Sequence, residues 1–210
     1  MILSRVDIAD LPAIRAAFDA HLEVEAPHAR AAFAFVMDSA DLIPLGVDTA
    51  EHRDRAVRLA HDFGLETLDE APQQAFSWDG RFLRTRSEAS VIVHEVTHYL
   101  VSPPERRGLL DFGLGAGPES GRVEEANAAL CTDFATREEE ETLASLLGIL
   151  WEVELGQPGV LAFLEQNWLE GWHRPTAARH FARHLDMLVR MGLVRADGHP
   201  VPPPVGLQAA

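Results

Sequence analysis

Five residues, His94-Glu95-Val96-Thr97-His98, limit this chain more than any other stretch. Two histidines four apart meet on one face when the backbone between them is an α-helix, where residues i and i+4 lie one above the other. The pattern predicts a helix carrying two imidazoles that can reach one metal ion. Glu95 is turned about 100° from His94 around the axis, so it can lie beside such an ion without binding it. The apolar run Val91-Ile92-Val93 predicts that this helix is buried. Two core histidines brought together by chance are the plain alternative. The apolar run before the motif and the glycine-rich stretch after it weigh against that reading.

Two imidazoles leave a divalent ion short of ligands, so a third should come from downstream. Glu138-Glu139-Glu140-Glu141 stands at the head of an apolar helix, and four consecutive carboxylates spread around most of a turn. At least one must face inward, where a carboxylate needs a cation or arginine partner. The alternative for any one of them is a solvated acidic helix N-terminus, which the helix dipole favours. Glu124-Glu125 is a second source, and Asp111 and Asp133 are weaker candidates. His180 and His184 repeat the i, i+4 spacing without a glutamate after the first and with arginines beside both, which reads as a solvated face. Trp151, Trp168 and Trp172 read as core, and Cys131 as a buried thiol.

Around the motif the chain reads as helical. Asp10 before Leu11-Pro12 is a candidate N-cap for a helix to about Glu23. Ala31, Phe35 and Val36 mark a second helix, and a third runs from about Thr49 to Phe63, stopping at Gly64. Phe76-Ser77-Trp78, Asp79-Gly80 and Phe82-Leu83 read as a hairpin about an Asp-Gly turn. Ser87 is the expected cap of the motif helix, and Pro103-Pro104 must end it. Residues 105–121 read as a glycine-rich loop, followed by helices at about 123–132, 138–155, 158–170 and 175–191. The chain from Pro200 onward is expected to fray, with 201–210 a disordered tail. This makes a mostly helical α+β domain spanning 1–200, with one small hairpin or sheet.

Composition narrows the function classes. A net charge of −15 disfavours nucleic acid as a partner. The basic residues are all arginine, so no lysine can serve as a base or Schiff-base nucleophile. A single cysteine allows no internal disulfide and fits a reducing compartment. Charges at Arg5, Asp7, Asp10 and Arg15 argue against a signal peptide, and no apolar run reaches membrane-spanning length. A cytoplasmic protein with no membrane partner is the expectation.

Between about residues 88 and 141 the chain resembles the elongation factor P hydroxylases, which finish the lysine modification of that translation factor. The resemblance is carried by Glu88-Ala89-Ser90, His94-Glu95-Val96-Thr97-His98-Tyr99, Arg106-Arg107-Gly108-Leu109-Leu110-Asp111-Phe112-Gly113 and Gly121-Arg122. The paired arginines and Asp-Phe-Gly stand at the family's distances behind H-E-x-x-H. Where the family carries aromatic residues after Asp-Phe-Gly, this chain has Leu114, Gly115 and Ala116. The resemblance implies a zincin-like, metallopeptidase-like fold and a metal site of two histidines and one carboxylate. It implies that the carboxylate lies in a Phe-x-x-x-Glu segment, best matched by Phe134 to Glu138.

Two functions are consistent with these residues. One is an iron-dependent hydroxylase, with Fe(II) on His94, His98 and Glu138 and a protein substrate, elongation factor P by resemblance. There Glu95 tunes the site, and Arg106 and Arg107 shape the docking surface or brace Asp111. The other is a zinc hydrolase of the gluzincin kind with Glu95 as general base. A metal-stabilised module without catalysis is a third, plainer reading.

Overall fold

A computed structural model describes residues 6–22 and 27–204. Eight α-helices are present among these residues: α1 (Leu11–Leu22), α2 (Pro27–Asp38), α3 (Ala50–Asp62), α4 (Ala89–Val101), α5 (Val123–Ala128), α6 (Phe134–Glu154), α7 (Gly159–Glu165) and α8 (Pro175–Arg190). Two three-residue strands, β1 (Glu66–Leu68) and β2 (Phe82–Arg84), pair in parallel with Thr67 opposite Leu83. The protein is α+β and mostly helical. No described helix is long and apolar enough to cross a membrane.

The described residues pack as two units: those up to 46 with 149–201, and 47–148 with 202–204. In the first, α1, α2, α7 and α8 bury Phe18, Phe33, Phe163 and Phe181 together, with Trp168 against Phe163. Ser39, beyond the end of α2, is buried and satisfied twice. Its hydroxyl donates to the Val36 carbonyl at 2.6 Å and accepts from the Val160 N–H at 2.9 Å. Trp151 and Trp168 are core as expected, while Trp172 is half-buried. His184 is buried, its Nδ1 2.7 Å from the His180 carbonyl, and only His180 stands on the solvated face expected for both. Residue 184 shares a helix stripe with Phe181, Leu185 and Leu188, and that stripe packs inward.

In the second unit α3 packs along α4. Thr49 caps α3, accepting from the His52 N–H, while the His52 ring bonds back to the Thr49 N–H, and Gly64 ends the segment at φ +81°. The cap expected of Ser87 comes instead from Asp48, which accepts from the Ala89 N–H at 2.9 Å across 41 residues. Likewise Asp7, not Asp10, caps the entry to α1, because a short 3-10 turn (Ile8–Asp10) precedes that helix.

The Asp-Gly turn forms as expected, with Gly80 at φ +90° and Trp78 bridged antiparallel to Leu83. The regular pairing of Phe82–Arg84, however, is parallel to β1, a strand too short to show alternation in the sequence. α4 ends at Val101 before the two prolines. Pro200 bridges back to Val194 and Val201 bonds to Leu193, so the chain is paired where fraying was expected. Residues 205–210 of the expected tail lie outside the described residues.

Candidate metal centre

α4 presents His94 and His98 as the i, i+4 spacing demands, and α6 brings a carboxylate to them. The helices lie close because small groups face one another: a Cβ added at Gly148 would stand 3.7 Å from the His94 Cα. The Thr97 hydroxyl, fully buried, sits 2.7 Å from the His94 carbonyl and 2.9 Å from the Ala144 carbonyl, tying one helix to the other. Counting about 100° per residue, Glu141 falls within about 20° of the Gly148 direction on α6, whereas Glu138 falls about 80° away.

The carboxylate delivered is therefore Glu141. Its Oε1 lies 3.1 Å from His94 Nε2 and its Oε2 3.2 Å from His98 Nε2, while the two Nε2 atoms stand 3.0 Å apart. These three side chains form the one cluster of potential metal ligands found among the described residues. Glu138, expected by resemblance, is exposed and set back around the helix, its carbonyl accepting from the Thr142 hydroxyl. Glu124 and Glu125 are exposed on α5, with Glu125 3.6 Å from Arg122. Asp133 caps α6 through the Thr136 N–H.

The donor set fits a divalent ion. Nitrogen ligands about 2.1 Å from a shared ion stand roughly 3.0–3.4 Å apart. Two facing ring nitrogens at 3.0 Å cannot both carry protons, so at least one is a free lone pair. The charges respond to this crowding. Burial and the His98 charge depress His94, with Glu141 partly offsetting them. Burial also works against His98, but Glu141, Glu95 and Glu140 outweigh it and hold that imidazole above the ordinary histidine range. Glu141 is itself exposed over much of its side chain; the partial desolvation of its carboxyl raises it, and the two imidazoles pull it further down, well below the usual carboxylate range.

Glu95 keeps some exposed surface, yet burial of its carboxyl pushes its pKa up to about 7. His98 works against the rise, Asp111 and Glu141 add to it, and a Ser77 hydrogen bond lowers it. Asp111 is buried, held by the Ser120 hydroxyl and, at 3.4 Å, by the Trp78 N–H. Its own carboxyl is raised by burial, against the pull of these donors and of His98.

Asp111, Phe112 and Gly113 adopt φ of +40°, +56° and +70°, three left-handed residues in succession. That turn lays the Phe112 ring on His98, with centroids 5.7 Å apart, and Trp78 stacks behind Phe112 at 5.5 Å. Arg106 secures the turn, donating to the Phe112 carbonyl at 2.9 Å and to the half-buried Glu140 of α6. Arg107 faces elsewhere, over the Tyr99 ring. Neither Phe112 nor Ser77 was expected in this neighbourhood, whereas Glu140, one of the four consecutive glutamates, meets the arginine partner expected of an inward carboxylate. Phe112 was accessible only as the middle of Asp-Phe-Gly. Cys131, expected buried, is exposed, its Sγ 3.7 Å from the Gly113 carbonyl.

Compared with protein-family models, curated proteins and solved structures, the chain finds no match.

Proposed function

We propose that this protein is a metal-dependent enzyme whose ion is held by His94, His98 and Glu141, and that it is an iron-dependent hydroxylase with a zincin-like scaffold acting on a protein side chain. The observation that carries the metal is the convergence of two imidazole Nε2 atoms and both oxygens of one carboxylate. Two histidines and one carboxylate are the ligand set of non-haem iron oxygenases. The resemblance of residues 88–141 to the elongation factor P hydroxylases supports the choice of reaction and of that factor as substrate. When bound, ferrous iron supplies oxygen activation at such a site, and zinc supplies Lewis acidity toward water or a carbonyl.

The chain's own groups divide the remaining work. Phe112 fixes the plane of the His98 ring, and Arg106 fixes Phe112 by tying its carbonyl to α6. Thr97 fixes the spacing between the histidine helix and the carboxylate helix. Glu95, with a pKa near 7, can hold or release a proton beside the ligands.

That proton-holding carboxyl is also the observation favouring a second reading, a zinc hydrolase with Glu95 as general base. The test is elemental analysis of protein purified without added metal, followed by anaerobic iron loading and incubation in air with modified elongation factor P. The hydroxylase reading expects iron and a mass gain of one oxygen on the factor. Zinc, no mass gain, and peptide cleavage lost in Glu95→Gln would replace it with the hydrolase.

A further inference from the structure

Trp78, Tyr99, Arg81, Arg107 and Glu66 line a cleft of about 240 Å³, whose walls include none of His94, His98 or Glu141. At about 30 Å³ per water it has room for roughly eight, the scale of a small organic molecule. Its charges are unequal. Arg81 is neutralised by Glu66, with contacts of 3.2 and 3.4 Å. Arg107 is not: among the described residues no carboxylate pairs with it, in a chain of 33 acidic and 18 basic residues.

The geometry of Arg107 defines what it offers. Its Nε–H donates to the Ser102 carbonyl at 3.1 Å and its Nη2 to the Leu100 carbonyl at 3.4 Å, while the guanidinium lies 4.6 Å over the Tyr99 ring. Among the described residues Nη1 has no acceptor, and it is not among the buried atoms left without a partner. The main-chain carbonyls thus occupy one side of the fork and leave its end-on edge, the arrangement that receives the two oxygens of a carboxylate.

The arginine is also held in advance. Trp78 Nε1 donates to the Arg107 carbonyl at 2.7 Å, and Gly80 approaches Gly108 so closely that a Cβ there would lie 2.4 Å from the Gly108 carbonyl oxygen. Trp78 is buried and meets Tyr99 edge to face at 5.7 Å, which holds in place the half-buried Tyr99 ring, the aromatic surface left for the rest of a ligand.

We infer that this cleft binds a small organic carboxylate, its two oxygens on the free edge of Arg107 and its apolar part against Tyr99, beside the indole N–H of Trp78 that holds the Arg107 carbonyl. The inference does not depend on the metal reading. Benzoate is a suitable probe, with benzamide as its neutral counterpart and inorganic phosphate as a non-planar anion. The readout is the indole N–H resonance of Trp78 in the full chain, with the other tryptophans, none of which lines the cleft, as internal references. Saturable movement of the Trp78 signal with benzoate is expected, with benzamide at least about tenfold weaker because it lacks the charge, and with phosphate weaker because it fits the fork but has no apolar part to lay on Tyr99. Arg107→Gln should weaken benzoate by a similar factor. No movement, equal binding of benzamide or phosphate, or unchanged affinity in a folded Arg107→Gln overturns the proposal. If Arg107→Gln does not fold, the benzoate–benzamide difference in the unaltered chain decides. Repeating the titration after metal removal guards the assignment, because a shift seen only with metal present would place the carboxylate on the ion and overturn it as well.

Discussion

In residues 1–46 and 149–201 the interior is built of rings on rings. Phe18 stacks on Phe33 at 4.6 Å, and Phe163 and Phe181 meet edge to face at 5.7 Å. In residues 47–148 the interior holds charge. His98, Asp111 and Arg84 are buried there, and Glu140 keeps one oxygen, Oε2, buried without a hydrogen bond. Even its ring stack, Trp78 on Phe112 on His98, ends in an imidazole that can ionise. Aromatic burial is favourable by itself, whereas buried charge is tolerated only when partnered. The first region is made to be stable, and the second spends stability on a constellation of donors. Changes in the two should therefore separate structure from metal binding.

The largest separation is expected at the ligands. His98→Ala or His94→Ala should reduce metal stoichiometry to background while leaving the far-ultraviolet helix signal nearly intact. Glu141→Gln should weaken the metal by at least about tenfold, and Glu138→Gln should not change it. Metal contents that fall together in the two glutamine variants, or only with Glu138, would break the assignment of Glu141.

Phe163→Ala should do the reverse, costing about 3–5 kcal/mol in denaturant unfolding with metal stoichiometry kept in the folded fraction.

The ring-built region also buries two titratable side chains, His184 and Glu152, and Glu152 on α6 has its pKa raised to about 8 by burial and then by Glu165. A carboxyl raised on folding binds its proton more tightly in the native state. Its contribution is fully present below about 4.5 and is lost as pH rises toward about 8. Urea unfolding across that window should show stability falling with pH, and Glu152→Gln should flatten the slope. An unchanged slope would remove Glu152 as its source.

The smallest effect sharpens the comparison within the charged region. Thr49→Ala deletes the cap of α3 and should cost about 1 kcal/mol, with metal affinity unaltered.

The parts of this architecture legible in sequence were those set by local rules. The i, i+4 histidines, the double proline after Val101 and the glycine at 64 each act within a turn of where they stand. The parts missed depend on partners far away in the chain. Which of four glutamates meets the histidines depends on how α6 rolls against α4, fixed by Ala144, Gly148 and Thr97. The signal existed: Glu141, Ala144 and Gly148 share a face, and small residues on a face mark close approach. Asp48 capping α4 left no comparable trace, nor did the left-handed Asp111 and Phe112, since non-glycine residues rarely adopt that conformation. The parallel β1–β2 pair was hidden because three residues carry no period.

Thr97 occupies one of the two positions that the H-E-x-x-H notation leaves blank, yet the fold gives it little freedom. Its side chain is sealed and its hydroxyl serves carbonyls of two helices. For protein engineering, the vocabulary at that position is short. Serine keeps the hydroxyl and leaves a gap the size of a methyl, and valine keeps the shape and silences the donor. Anything larger pushes apart the two helices that hold the ligands. The wildcard of the motif is, in this protein, a spelled letter.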